Sequence, residues 1–109
     1  MKPGEKLFLI TRKDLPPGQQ AVQATHAMSE FMAEFPDTYR RWYETSNTLA
    51  LLATSDEMSL SCLIEDAQRR GFRCSLFREP DRGNEITAIA LEPAAKRICR
   101  GFGLALRDL

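Results

Sequence analysis

The chain has 109 residues, enough for one domain with its own apolar core and no staples. A composition of 43% apolar and 28% charged residues excludes a disordered chain, and a formal net charge of zero excludes a binder that works through a global positive field, leaving only a local basic patch open. The three cysteines, Cys62, Cys74 and Cys99, are odd in number and irregularly spaced, and with a single histidine they offer neither a disulfide framework nor a metal site.

The N-terminus, MKPGEKLFLITRKDL, has only a short apolar run between charges, so it reads as neither signal peptide nor membrane span. A cytoplasmic setting with no membrane partner is expected. Within it, Lys6–Arg12 is an apolar run closed by charges and prolines, the pattern of a buried strand. Pro16 and Pro17 suit a helix entrance, and Gly18 to about Glu34 reads as a long helix. PDTYRRWYETSN, from Pro36, reads as a short helix or an ordered loop. Thr48–Ala53 is a second buried strand. Thr54–Glu57, TSDE, has the spacing of a capping box, and the helix it opens runs to Arg70 and stops at Gly71, with Leu60, Leu63, Ile64 and Ala67 on its buried face. Phe72–Phe77 alternates as a half-buried strand, REPDRGNE is a loop, and Ile86–Leu91 is apolar on both faces and therefore central. Pro93 ends it, and AAKRICR forms a short last helix. Strands joined by helices are usually parallel, but the loop before Ile86 is too short for a helical crossover. The expected architecture is α/β: a three-layer α/β/α sandwich with a mixed four-stranded sheet, one domain over residues 1–109.

Successive residues of the first helix are about 100° apart. With Gln19 at zero, Ala21, Ala24, Met28, Phe31, Met32 and Phe35 form a stripe at about 120–220°, the expected core face. Gln19, Gln23, His26, Glu30 and Glu34 lie within about 60° of zero. His26 is thus predicted nearly opposite the core, as a solvated residue or a site residue. Gln19, Gln23 and His26 share one strip near a helix N-terminus, where free N–H groups favour anionic ligands. Asp81, in the later loop, could polarise a histidine or orient a water; Asp81-Arg82-Gly83 also fits an ordinary turn. Arg40-Arg41 and Arg69-Arg70 read as solvated faces able to meet phosphates. Trp42, with Tyr39 and Tyr43, reads as packing, and the cysteines as small core residues.

Together these stretches resemble the archaeal/eukaryotic-type peptidyl-tRNA hydrolase family. TRKDLPPGQQAVQATHA is similar to its Arg-x-Asp-Leu … Gly-Lys-x-x-x-Gln-x-x-His-Ala signature through Arg12, Asp14, Leu15, Gly18, Gln23, His26 and Ala27. DRGNEITAIALEP resembles its Asp-Ala-Gly loop and following Thr-x-x-Ala-x-x-Pro through Asp81, Gly83, Thr87, Ala90 and Pro93, with a shortened loop. GFGLALRDL resembles its closing Gly-x-Leu-x-Leu.

The resemblance implies cleavage of the ester joining a peptide to tRNA, with peptidyl-tRNA as partner and no metal or organic cofactor; a homodimer is left open. It implies catalytic roles for His26, Asp81 and Gln23, and substrate binding by Arg12, Asp14, Gln19 and Thr87. Asp81 and His26 are expected to open onto one cleft. One position departs: Gln19 stands where the family carries a lysine. Glutamine donates a hydrogen bond but no charge, so Arg12, Lys13 or Arg82 compensates, or the chain is a divergent member. The competing expectation is a non-catalytic RNA- or protein-binding domain on the same fold. A hydrolase for another ester or amide is the third.

Overall fold

The computed structural model describes residues 4–107. In chain order it has β1 (Lys6–Arg12), α1 (Pro17–Glu34), α2 (Pro36–Thr45), β2 (Thr48–Thr54), α3 (Glu57–Arg69), β3 (Cys74–Glu79), β4 (Glu85–Leu91), α4 (Lys96–Cys99) and β5 (Gly103–Leu104), with 3₁₀ turns at Pro80–Arg82 and Pro93–Ala95. The sheet order is β3-β4-β1-β2-β5. β1 and β2 run parallel, with Lys6 opposite Thr48 and Arg12 opposite Thr54. β4 is antiparallel to both β1 and β3, which makes the short Pro80–Asn84 loop a hairpin connection and not a crossover.

Alternation along β1 divides the core. Leu7 and Leu9 face α1 and α2 together with Ala24, Ala27, Phe31, Trp42, Ala88 and Ala90. Phe8 and Ile10 join Leu60, Leu63, Ile64, Ile89, Leu91 and Cys99 on the α3 and α4 side. These are the three expected layers. The sheet has five strands, one more than the sequence pattern shows. β5 is only Gly103–Leu104, exposed, and held through pairing with Leu52 and Ala53. Two residues carry no periodicity; the open edge of β2 recruits them.

Three local expectations shift. α3 is capped by Asp56, whose Oδ1 accepts from the Ser59 N–H at 2.9 Å, not by a box at Thr54 and Glu57. β2 continues through Thr54, which pairs with Arg12, so the helix starts later. The Glu57 carboxylate instead accepts the backbone N–H of Ile86 at 2.7 Å. At the other end, Gly71 takes φ +76°, and the N–H groups of Phe72 and Gly71 close onto the carbonyls of Ala67 and Gln68. This is a Schellman closure. It removes Phe72 from the strand, so β3 begins at Cys74 and runs on to Glu79, past a bulge at Phe77/Arg78.

α1 is rotated from the expected orientation. Its buried residues are Gln20, Gln23, Ala24, Ala27 and Phe31, while Met32 is exposed. On the 100° wheel this face is centred near 100°, about 70° away from the expected stripe. Small alanines let the helix approach the sheet closely, and the buried glutamines find partners there. Gln20 donates to the Leu15 carbonyl at 2.7 Å and accepts the Leu106 N–H at 2.9 Å. A polar residue is stable in a core once hydrogen-bonded.

Candidate active site

The rotation of α1 turns Gln23 inward and leaves His26 on the flank. Gln23 is 2% exposed and Thr87, on the central strand β4, is fully buried. The Thr87 hydroxyl donates to Gln23 Oε1 at 2.6 Å. Gln23 Nε2 donates onward to Glu79 Oε2 at 2.9 Å. The other carboxylate oxygen, Glu79 Oε1, accepts the backbone N–H of Asp81 at 3.1 Å. The Thr11 hydroxyl joins from β1, donating to the Thr87 carbonyl at 2.9 Å. A continuous chain therefore runs from the buried β4 strand to a half-buried carboxylate at the end of β3. Its hydrogen bonds, that from Gln23 first, hold the Glu79 carboxyl below the usual carboxylate range against the opposing effect of desolvation.

His26 sits beside this chain. Its imidazole lies flat on the Phe77 ring, with centroids 4.2 Å apart and planes 7° from parallel. His26 is exposed, but on the flank toward β3 and not opposite the core. The shallow hollow next to it is formed by Ala21, Val22, Thr25 and Ser29 of α1, and Asp81 does not line it. Asp81 itself is exposed on the 3₁₀ turn. Its backbone N–H is engaged; its carboxylate makes no hydrogen bond or ion pair among the described residues. The loop then turns through two left-handed residues, Gly83 at φ +64° and Asn84 at φ +62°. Glycine and asparagine are the residues that tolerate this conformation.

Arg12 is 5% exposed at the end of β1. Each of its nitrogens has an acceptor. Nε and Nη2 grip the Asp14 carboxylate at 2.9 and 2.8 Å, while Nη1 donates to Glu85 Oε1 at 2.8 Å and to the Ile86 carbonyl at 3.1 Å. The bond to Asp14 is the largest influence keeping the guanidinium charged. This clasp ties β1 to the start of β4. Of the other cations, Arg82 reaches Glu85 at 3.8 Å. Lys13 lines a separate hollow of about 260 Å³, with Leu15, Pro17, Gln20, Leu106 and Arg107. Gln19, where a lysine was expected, is exposed in the first turn of α1.

The residue that the sequence pattern did not single out is Glu79. Reading the strand as ending at Phe77 placed Glu79 in a loop, where an acid beside proline looks like turn chemistry. Its signal would have been two more alternating positions beyond a bulge. Elsewhere, Trp42 is 1% exposed and donates to the Thr48 carbonyl at 2.8 Å, as packing predicts, while Tyr43 is exposed. Arg69 and Arg70 both pair with Asp66 at 2.8 Å. Burial pushes the Cys74 and Cys99 thiols up to about 12, but Cys62 lies exposed on α3, outside the core expected for it. No group of metal-ligating side chains occurs among the described residues, and no helix there is long and apolar enough to cross a membrane.

The family described as peptidyl-tRNA hydrolase PTH2 matches residues 5–107. Among solved structures, a protein of unknown function from Agrobacterium tumefaciens strain C58 is similar, with a TM-score of 0.65 at 18% identity over 91% of this chain and 96% of that one. That likeness speaks to the fold. No curated protein matches the sequence.

Proposed function

The chain belongs to the peptidyl-tRNA hydrolase PTH2 family, and from that premise we propose that it hydrolyses the ester between a peptide and the 3′ ribose of tRNA, releasing free tRNA. The observation that carries this reading is the hydrogen-bonded chain Thr87–Gln23–Glu79, with His26 stacked on Phe77 of the strand that Glu79 ends. Gln23, His26 and Thr87 are three of the residues that the family signature marks, and they come from α1 and β4, far apart in the sequence.

Ester hydrolysis needs a positioned water, a group to take its proton and donors for the developing oxyanion. In this reading His26 takes the proton; imidazole is the side chain suited to this near neutral pH. Stacking on Phe77 restricts its ring. Gln23 and Thr87, both buried, set the polar floor under the water. The uncapped first turn of α1 and the exposed Gln19 amide offer donors to the oxyanion. Arg12 and Asp14 frame the site by fixing the start of β4, and Asp81 supplies an exposed carboxylate on the adjoining turn.

One observation favours a second reading, a binding domain that has lost the reaction. Gln19 brings no charge, and the Arg12 guanidinium is already committed to Asp14, Glu85 and Ile86. Single-turnover release of tRNA from a peptidyl-tRNA substrate separates the two. Cleavage by the wild-type protein that is lost in His26→Ala supports the hydrolase. A folded wild type that binds tRNA and leaves the ester intact establishes the binding domain instead.

A further inference from the structure

We propose that Glu79 is the carboxylate that holds the attacking water for His26, an assignment that rests on the hydrolase reading above. Two acids lie two residues apart, Glu79 at the end of β3 and Asp81 on the turn after it, and their circumstances differ. Asp81 is exposed, with a carboxylate that nothing among the described residues holds. Glu79 is half-buried at the last sheet position, opposite Glu85. Its Oε2 accepts from Gln23 at 2.9 Å and its Oε1 from the Asp81 N–H at 3.1 Å. One donor on each oxygen fixes the plane of the carboxylate, and each oxygen keeps room for another hydrogen bond.

The same two donors favour the ionised form. A carboxylate held in this way is a weak base and a permanent acceptor. It suits orienting a water and offsetting an imidazolium, not removing the proton itself. Glu79 and His26 form no direct ion pair among the described residues, yet Gln23, which bonds Glu79, lies three residues before His26 on α1, and the His26 ring stacks on Phe77, two residues before Glu79 on β3. One bridging water suits that placement. That water donates one hydrogen to Glu79 and the other to His26. As its oxygen bonds to the ester carbonyl carbon, the second proton passes to the imidazole. The bond from that carbon to the ribose 3′ oxygen then breaks, and the imidazolium returns the proton to the departing oxygen. The products are the peptide acid and a free 3′ hydroxyl, with His26 neutral again.

A purely structural role is the rival explanation, because Glu79 also closes the 3₁₀ turn. Single-turnover cleavage of peptidyl-tRNA, measured across protein concentration, distinguishes them for wild type, Glu79→Gln, Glu79→Ala and Asp81→Asn. Glu79→Gln retains an acceptor for the turn and is expected to fold, as thermal melting checks. Its maximal rate should fall about 100-fold or more, with the half-saturating concentration nearly unchanged. Asp81→Asn should lose less than Glu79→Gln. Added formate should restore part of the rate to Glu79→Ala by placing a carboxylate in the vacated space. A Glu79→Gln rate within about threefold of wild type, a larger loss in Asp81→Asn, or no formate rescue would reduce Glu79 to a turn residue and overturn the proposal. Failure of the hydrolase reading is distinguishable, because wild type and variants are then all silent.

Discussion

The Arg12 clasp and the Gln23 chain are both polar groups buried at the same end of the sheet, and both join α1 or β1 to β4. They differ in what they leave free. Around Arg12, charge meets charge, every guanidinium nitrogen has an acceptor, and the group reads as closed. The Gln23 chain is neutral through its buried part and reaches a carboxylate only at its half-buried end, where acceptor capacity remains. A closed ion cluster locks strands together. An open-ended chain can hold a water or a substrate group in place. Proximity to a site is thus a poor guide to role, and the count of unused hydrogen-bond positions is a better one.

That contrast breaks most directly at His26. His26→Ala should lower the single-turnover rate by roughly 10²–10⁴-fold while leaving the melting temperature nearly unchanged, because the ring is exposed and general-base effects are of that size. A large fall in melting temperature would place His26 with the closed cluster. Arg12→Met should do the reverse. Breaking a buried pair typically costs about 3–5 kcal/mol. Asp14 and Glu85 are 43% and 40% exposed and can turn to water, so about 2–3 kcal/mol is expected here in urea unfolding. The folded fraction should lose far less of its rate than His26→Ala does.

Gln19→Lys sharpens the comparison from the open side. An ammonium near the scissile ester should raise cleavage by roughly one to two decades, equivalent to about 1–3 kcal/mol, in the same single-turnover assay. With an active wild type, no gain would mean that Lys13 or Arg82 already supplies the charge; with both proteins inactive, it would favour the binding domain.

The smallest effect concerns pH and the closed cluster. Arg12 holds the Asp14 carboxyl below the usual aspartate range, chiefly through the hydrogen bond between them. A pKa lowered on folding gives stability that is full above the unfolded value. It is lost as pH falls from there through the folded value. Because Asp14 is partly exposed, this contribution is on the order of 1 kcal/mol or less. Urea midpoints taken from about pH 7 down to about pH 2 should fall less in Asp14→Asn than in wild type.

Much of this was legible from local pattern. The strands read at Lys6–Arg12 and Ile86–Leu91 showed as apolar runs because both their faces are covered; the second begins one residue earlier, at Glu85. The α3 face at Leu60, Leu63, Ile64 and Ala67 followed from its period. The family signature was readable because it is contiguous around Gln23 and His26. The α1 face was misplaced because hydrophobicity ranks methionine above glutamine, whereas burial here follows close approach and available partners. Met32 remains outside, and Gln20 and Gln23 go in.

The sequence by itself therefore determined the order of elements, the three layers, the absence of a cysteine framework and the family, since each rests on local periodicity, composition or a contiguous motif. Only the tertiary structure decided the rotation of α1, the fifth strand and which acid ends the polar chain. Those depend on partners distant along the chain. Gln23 meets Glu79 across 56 residues and Thr87 across 64. No local pattern records which lone pair will face which donor once the sheet has closed.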